Sequence, residues 1–200
     1  MDTDSVLSRR PMRRFWGWGL ASDTLTAREQ ATVKAMLANI EARFEDRPAP
    51  QVGEFDLPAP RIAPPLALAA QFSAAPLDRL NHGAGKSYAD CARMWLRAPP
   101  PPPDWVAYPE NEQAVIDILD WAQAHDVAVI PYGGGSSVCG GVEADVGPGY
   151  TAAISLDLER LNRVLEVDPV SRAARIQAGA LGPELEAQLK PHGLTLRHFP

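Results

Sequence analysis

Five consecutive prolines, Pro99 to Pro103, separate two halves of the chain that differ in character. Proline lacks a backbone N–H and fixes φ at about −65°, so this run can form neither a helix interior nor a central strand. Prolines are also dense from Pro48 to Pro65, and residues 48–76 are predicted to form an extended arm. We therefore predict a domain boundary, with a helical and proline-rich extension over residues 1–98 and a second domain over residues 99–200.

The composition of the 200-residue chain disfavours several classes of protein. Its two cysteines are too few for a disulfide scaffold, and no cysteine–histidine cluster has the spacing of a zinc site. The net charge of −6 disfavours a nucleic-acid partner, and the arginines from Arg9 to Arg14 are interpreted as a solvated basic N-terminus. No run reaches the ~18 apolar residues of a membrane span, and no secretory signal is recognisable. We expect a cytoplasmic protein without metal or nucleic acid, for which peripheral membrane contact stays open.

Two helices in the N-terminal half are predicted from their capping residues. Thr26 and Glu29 form a capping box, and the apolar residues that follow at helical spacing are predicted to face a core. These residues are Val33, Met36, Leu37, Ile40 and Phe44. Ser87, with Asp90 three residues later, is predicted to cap the second helix. The predicted apolar face of this helix consists of Tyr88, Cys91, Ala92 and Trp95.

The segment Gly85-Lys86-Ser87 looks like the end of a P-loop. A P-loop needs a glycine five residues before Gly85, and Leu80 stands at that position. No buried strand precedes the segment either. Binding of a nucleoside triphosphate is therefore not predicted here.

Residues after the proline run alternate between predicted helices and strands. The first helix covers residues 111–126, and its predicted buried face consists of Val115, Ile118, Leu119 and Ala122. The remaining elements are strands at 127–130 and 151–156, a hairpin of 164–167 with 173–177, a helix from Gly182 through Leu189, and the start of a further strand at 194–196. This order of elements predicts an α+β fold.

The segment from Pro131 to Gly141 lies between two predicted strands and contains five glycines. Successive exposed backbone amides form a nest for an anion, and the hydroxyls of Ser136 and Ser137 add donors. The spacing is not Gly-x-Gly-x-x-Gly and no helix follows, so a Rossmann-type site is not predicted. Glycine content alone leaves two interpretations open, a cradle for a diphosphate and a flexible surface loop.

Several segments in one consistent order carry a family resemblance. They are the helix before residue 127, Val129 to Val138, Ile154 to Val164, and Ala178 to Leu185. With Pro103-Asp104-Trp105-Val106 before them, they resemble the first part of the PCMH-type FAD-binding domain of the vanillyl-alcohol oxidase / p-cresol methylhydroxylase flavoprotein superfamily. The resemblance implies that FAD is bound by Pro131, Tyr132, Gly133, Gly134, Gly135, Ser136 and Ser137. Some members attach flavin to a histidine in this loop, and Gly135 stands at its position, so the resemblance implies non-covalent FAD.

Within the superfamily, the chain is most similar to the branch of alkylglycerone-phosphate (alkyldihydroxyacetonephosphate) synthases. The likeness extends to Trp16-Gly17-Trp18-Gly19, whose tryptophans are predicted to dock onto a surface, and to Asp78-Arg79 and His82-Gly83. It implies ether lipid synthesis, in which a fatty alcohol replaces the acyl chain of acyl-dihydroxyacetone phosphate without net redox. It further implies a small-molecule or lipid substrate and a homodimer when the protein is full length.

The resemblance also implies that the chain is an N-terminal fragment, with the second half of the FAD domain and the catalytic residues past Pro200. The catalytic residues therefore stay unknown, and none of the four histidines is assigned a catalytic role. Two alternatives stay open. One is an FAD-linked oxidase or dehydrogenase of a 2-hydroxy acid or alcohol, and the other is a truncated, non-catalytic remnant.

Overall fold

The computed structural model describes residues 10–40 and 47–197 and is built around a mixed four-stranded sheet. The strands are β1 (Phe72–Ser73), β2 (Trp105–Ala107), β3 (Val127–Tyr132) and β4 (Ala152–Asp157), in the order β1-β2-β4-β3. β4 runs parallel to both β2 and β3, whereas β1 is antiparallel to β2. An antiparallel hairpin, β5 (Val164–Asp168) and β6 (Ala173–Ile176), follows outside this sheet. The α+β prediction is confirmed.

Within residues 10–40 and 47–197, the structure has five α-helices. They are α1 (Ala27–Leu37), α2 (Pro76–Gly83), α3 (Tyr88–Trp95), α4 (Glu112–Ala124) and α5 (Gly182–Leu189). Short 3-10 turns occur at Val52–Glu54, Leu66–Gln71 and Lys190–His192, so the predicted extended arm also contains turns. In the part of the chain that the structure describes, no helix is long and apolar enough to cross a membrane.

The core lies on both faces of the central strand β4, all of whose residues are buried. On one face, Ile118 and Ala122 of α4 pack with Phe72, Ile154 and Leu156. On the other face, the alternating side chains of β3 pack with Val142 and Ala144, which follow the glycine segment. The connection from β3 to β4 therefore covers the sheet without a helix, as the sequence predicted.

The prediction that α1 faces a core is wrong. Thr26 and Glu29 do form the capping box, but the helix has no buried residue, and Met36 is 66% exposed. Val33 and Ile40 are exposed as well, and Phe44 lies outside the described residues. Local capping thus specifies the helix here, whereas the apolar spacing does not report burial.

Three smaller predictions in the helices and strands are also wrong. α3 is capped by Ser87 and Asp90 as expected. Its buried residues are Asp90 and Met94, whereas Tyr88 is 90% exposed, because the cap turns the Asp90 side of the helix inward. In α4, Leu119 is exposed and Ala114 is buried in its place. Residues 194–196 form no strand, because the chain turns at the left-handed Gly193 and Leu194 bonds back to Leu189.

Candidate cofactor site

The predicted loop lies at the carboxyl edge of the sheet. Pro131 and Tyr132 end β3, and Tyr132 is in register with Asp157, the last residue of the parallel neighbour β4. Crevices at the carboxyl ends of parallel strands are the usual binding sites of α/β sheets. The five residues that follow leave this edge together; Gly135 is buried, Ser136 is exposed, and Gly133, Gly134 and Ser137 are half-buried.

Tyr132 supports the loop from below. Its hydroxyl donates a 3.1 Å hydrogen bond to the carbonyl oxygen of Asn81, and its ring lies 4.0 Å from that of His82. Burial, with the nearby charge of Asp157, raises the pKa of the Tyr132 hydroxyl well above its ordinary value. The Tyr132 side chain is therefore uncharged and fixed in position, and it supports Gly135 from below.

His82 joins the loop to the ends of the strands. Its Nε2 lies 3.0 Å from Oδ2 of Asp157, and its Nδ1 lies 2.7 Å from the carbonyl oxygen of Asp78. These two contacts tie the ring both to α2 and to the end of β4. Tyr108 donates a 3.0 Å hydrogen bond to Oδ1 of Asp78 and completes the network. All of these polar side chains are buried, and they hold the floor of the site in one arrangement.

Gly85 and Lys86 hold the far end of the loop. The backbone N–H of Lys86 donates a 2.7 Å hydrogen bond to the carbonyl oxygen of Ser137. A Cβ at Gly85 would lie 2.2 Å from that same oxygen, so only glycine fits. The Lys86 ammonium donates to the carbonyl oxygens of Arg14 and Phe15, at 3.0 and 3.1 Å. The Gly-Lys-Ser segment thus fastens the N-terminal segment and the glycine loop to each other.

Burial lowers the pKa of Lys86 to about 8. Its ordinary pKa is 10.5, so between these two pH values the unfolded chain binds more protons than the folded one. Stability from this group therefore rises with pH across that window. We expect the wild type to gain roughly 2 kcal/mol between pH 8 and pH 10 relative to Lys86→Met, measured by urea unfolding. Lys190→Met, at an exposed lysine, should keep the wild-type dependence; equal behaviour of both variants would contradict the desolvation of Lys86.

Arg10 and Arg13 reach the loop from the N-terminal segment. Arg10 donates to the carbonyl oxygen of Gly133 at 2.6 Å, and Arg13 donates to that of Gly134. The interpretation of this stretch as a solvated basic N-terminus is therefore wrong for Arg10 and Arg13, whose side chains are tied to the loop, and Arg9 lies outside the described residues. The Trp-Gly-Trp-Gly segment just after these arginines was the available signal that the N-terminal segment docks onto the fold. Trp16 packs edge-on against Trp95, with 5.3 Å between the ring centroids, whereas Trp18 is exposed.

The chemistry of the site suits the diphosphate of a dinucleotide. A cavity of about 160 Å³ beside the loop is lined by Arg10, Arg13 and Lys86, and also by the carboxylates of Asp78, Asp157 and Glu159. Apart from its chain neighbours, no atom of the described residues lies within 4 Å of the position of a Cβ at Gly133, so the main chain is open there. Open glycine backbone fits an anion, and the loop residues named from the sequence would hold it.

The second half of the chain matches a known family. Residues 103–200 match the FAD binding domain family, and this match supports FAD as the cofactor. The chain is 38% identical over 122 residues to alkyldihydroxyacetonephosphate synthase of Trypanosoma brucei brucei, covering 61% of this chain and 20% of that protein. It is 38% identical over 87 residues to D-2-hydroxyglutarate dehydrogenase of Xanthomonas citri pv. viticola, covering 44% of this chain and 17% of that protein.

A solved structure of alkyldihydroxyacetonephosphate synthase has the same fold. It superposes with a TM-score of 0.79 at 26% sequence identity, over 93% of this chain and 39% of that one. The family resemblance seen in the sequence and the fold class are thus confirmed. The chain spans about a fifth of the length of the curated relatives that it matches. The assignment of Pro131 to Ser137 to FAD stays a prediction, as does the domain boundary at residue 99.

Proposed function

We propose that this chain is part of an FAD-dependent enzyme that exchanges the acyl chain of acyl-dihydroxyacetone phosphate for a fatty alcohol. The observation that carries the proposal is the extent of the likeness to the synthases. The superposition on the solved synthase covers 93% of the chain. Residues 103–200 alone are too few to account for this coverage, so the likeness includes the N-terminal extension. In sequence, the Trypanosoma brucei synthase matches 122 residues of the chain and the Xanthomonas citri dehydrogenase matches 87.

In this proposal, the chain's residues bind and orient the cofactor, while FAD supplies the reactive ring system. Pro131 to Ser137 hold the diphosphate with backbone N–H groups and the two serine hydroxyls. The buried network of His82, Asp157 and Tyr132 keeps the loop in place and closes the floor of the site to water. Non-covalent binding is supported by Gly135, because any side chain there would meet the Tyr132 hydroxyl in this loop conformation.

The reaction is tested on the protein in its native length with a labelled fatty alcohol and acyl-dihydroxyacetone phosphate. We expect label to appear in the ether lipid product only when FAD is bound. The dehydrogenase relative supports one other candidate, oxidation of a 2-hydroxy acid. Reduction of a dye by such an acid, without alkyl exchange, would replace the synthase proposal with the oxidoreductase. Failure of both reactions in FAD-loaded protein would favour a non-catalytic remnant.

The net charge of −6 suits a small-molecule or lipid substrate better than a nucleic acid. We propose a cytoplasmic location and a homodimer for the full-length protein, with peripheral contact to a membrane as the source of a lipid substrate. Sedimentation of the full-length protein with and without lipid vesicles measures both the oligomeric state and the membrane contact.

A further inference from the structure

The N-terminal segment contributes to a site that belongs to a domain more than 80 residues away along the chain. Arg10 lies 123 residues before Gly133 and donates to its carbonyl oxygen at 2.6 Å. The same guanidinium donates to the carbonyl oxygen of Gly179 at 2.8 Å. Arg13 donates to the carbonyl oxygen of Gly134. Two successive peptide groups of the glycine loop are therefore held by arginines from outside the matched FAD domain.

Holding these carbonyl groups also fixes the direction of two N–H groups. In a trans peptide, the carbonyl bond and the N–H bond of the next residue lie in one plane and point in opposite directions. The carbonyls of Gly133 and Gly134 face Arg10 and Arg13, so the N–H groups of Gly134 and Gly135 point away from the arginines. Glycine peptides rotate easily when nothing restrains them. The two arginines thus set the orientation that an anion nest requires.

The two arginines differ in how their charge is balanced. Arg10 lies 3.7 Å from a carboxylate oxygen of Asp157 and 3.8 Å from one of Glu159. Among residues 10–40 and 47–197, Arg13 forms no ion pair with a carboxylate, and its side chain lines two cavities that Gly134 also lines. The charge of Arg13 therefore acts on an anion in the nest from across the loop, without a direct contact.

We propose that Arg10 and Arg13 are positioning residues of the cofactor site. Both orient the peptides of Gly133 and Gly134, and Arg13 also attracts the diphosphate by its charge. The inference rests on the proposed function, in which the loop binds FAD. It makes the N-terminal extension a part of the cofactor site and not only a neighbour of it.

The test is an FAD titration of the apoprotein, in its native length, followed by flavin fluorescence. Arg13→Met removes one charge-assisted hydrogen bond and one charge, so FAD affinity should fall about tenfold at low salt. Arg14→Met is the matched control, because Arg14 contacts the carbonyl oxygens of Trp18 and Asp23 and not the loop. We expect its FAD affinity to stay within about twofold of the wild type.

Salt dependence separates the electrostatic role from a merely structural one. The difference between wild type and Arg13→Met should shrink as added salt screens the charge. Arg13→Lys keeps the charge and one donor, so it should recover part of the affinity, and it also serves if the Met variant does not fold. Wild-type FAD affinity in Arg13→Met would overturn the inference alone, and a loss that is the same at all salt concentrations would overturn its electrostatic part. No FAD binding by the wild type would overturn the proposed function as well.

Discussion

Replacing Gly135 with alanine should destabilise the protein by roughly 2–4 kcal/mol. Gly135 has φ of +67°, a conformation that side chains disfavour, and a Cβ there would lie 2.0 Å from Oη and 2.5 Å from Cζ of Tyr132. Tyr132 cannot retreat, because its hydroxyl is bonded to Asn81 and its ring packs on His82. The loop must therefore move away from Tyr132, and thermal unfolding of the variant should show a lower midpoint than that of the wild type.

Gly133→Ala provides the matched control for stability. In the described part of the chain, its Cβ would meet no atom within 4 Å beyond its chain neighbours, and its φ lies outside the left-handed region. We expect its cost to stay within about 1 kcal/mol, since alanine also restricts the unfolded chain. Equal unfolding midpoints for the two alanine variants would show that Tyr132 does not support the loop at Gly135.

Replacing Asp104 with asparagine should cost about 3 kcal/mol at pH 7. Asp104 is 3% exposed and joins three parts of the fold. Its carboxylate accepts hydrogen bonds from the Arg61 side chain, from the Arg61 backbone N–H at 2.8 Å and from the Ala153 N–H at 2.8 Å. Asparagine removes the charge and places an NH2 group among these donors. The extended arm, β2 and β4 then lose their common anchor.

The loss should depend on pH in a defined direction. Burial alone would raise the pKa of Asp104, but the hydrogen bonds from Arg61 and Ala153 outweigh it and lower the pKa below its ordinary 3.8. The contribution to stability is thus present above pH 3.8 and is lost as pH falls through the folded-state pKa. Urea unfolding should show a large difference between wild type and Asp104→Asn at pH 7 and a smaller one at pH 3.

Asp120→Asn is the control for this experiment, because Asp120 is exposed on α4. We expect it to change the free energy of unfolding by less than about 0.5 kcal/mol at either pH. If Asp104→Asn were as mild as this control, the Arg61–Asp104 contact would not anchor the arm. A difference that grows as pH falls would contradict the lowered pKa of Asp104.

Local patterns predicted much of the fold. The capping boxes at Thr26 and Ser87, the hairpin of β5 and β6, and the two parallel strands beside the glycine loop all depend on neighbours in sequence. Burial was predicted less well. The apolar stripe of α1 is exposed and α3 buries a carboxylate, because burial depends on which distant segment packs against a helix.

The candidate site divides in the same way. The loop from Pro131 to Ser137 could be located from its glycines and from the resemblance. The arginines that hold it could not, because nothing in the local sequence links Arg13 to Gly134, 121 residues further on. His82 was assigned no catalytic role from the sequence, and its contact with Asp157 arises only from the way α2 lies against the end of β4.

Binding of FAD without a covalent bond is tested most directly by the visible absorption spectrum of the purified protein before and after acid precipitation. We predict a yellow protein, with all of the flavin released into the supernatant. A parallel FAD titration of Gly134→Val should show weaker binding, although a Cβ at Gly134 makes only ordinary contacts, at 3.5 Å with Leu181 and 3.7 Å with Arg13. A protein that stays colourless after FAD is added, or flavin that stays with the precipitate, would contradict the account.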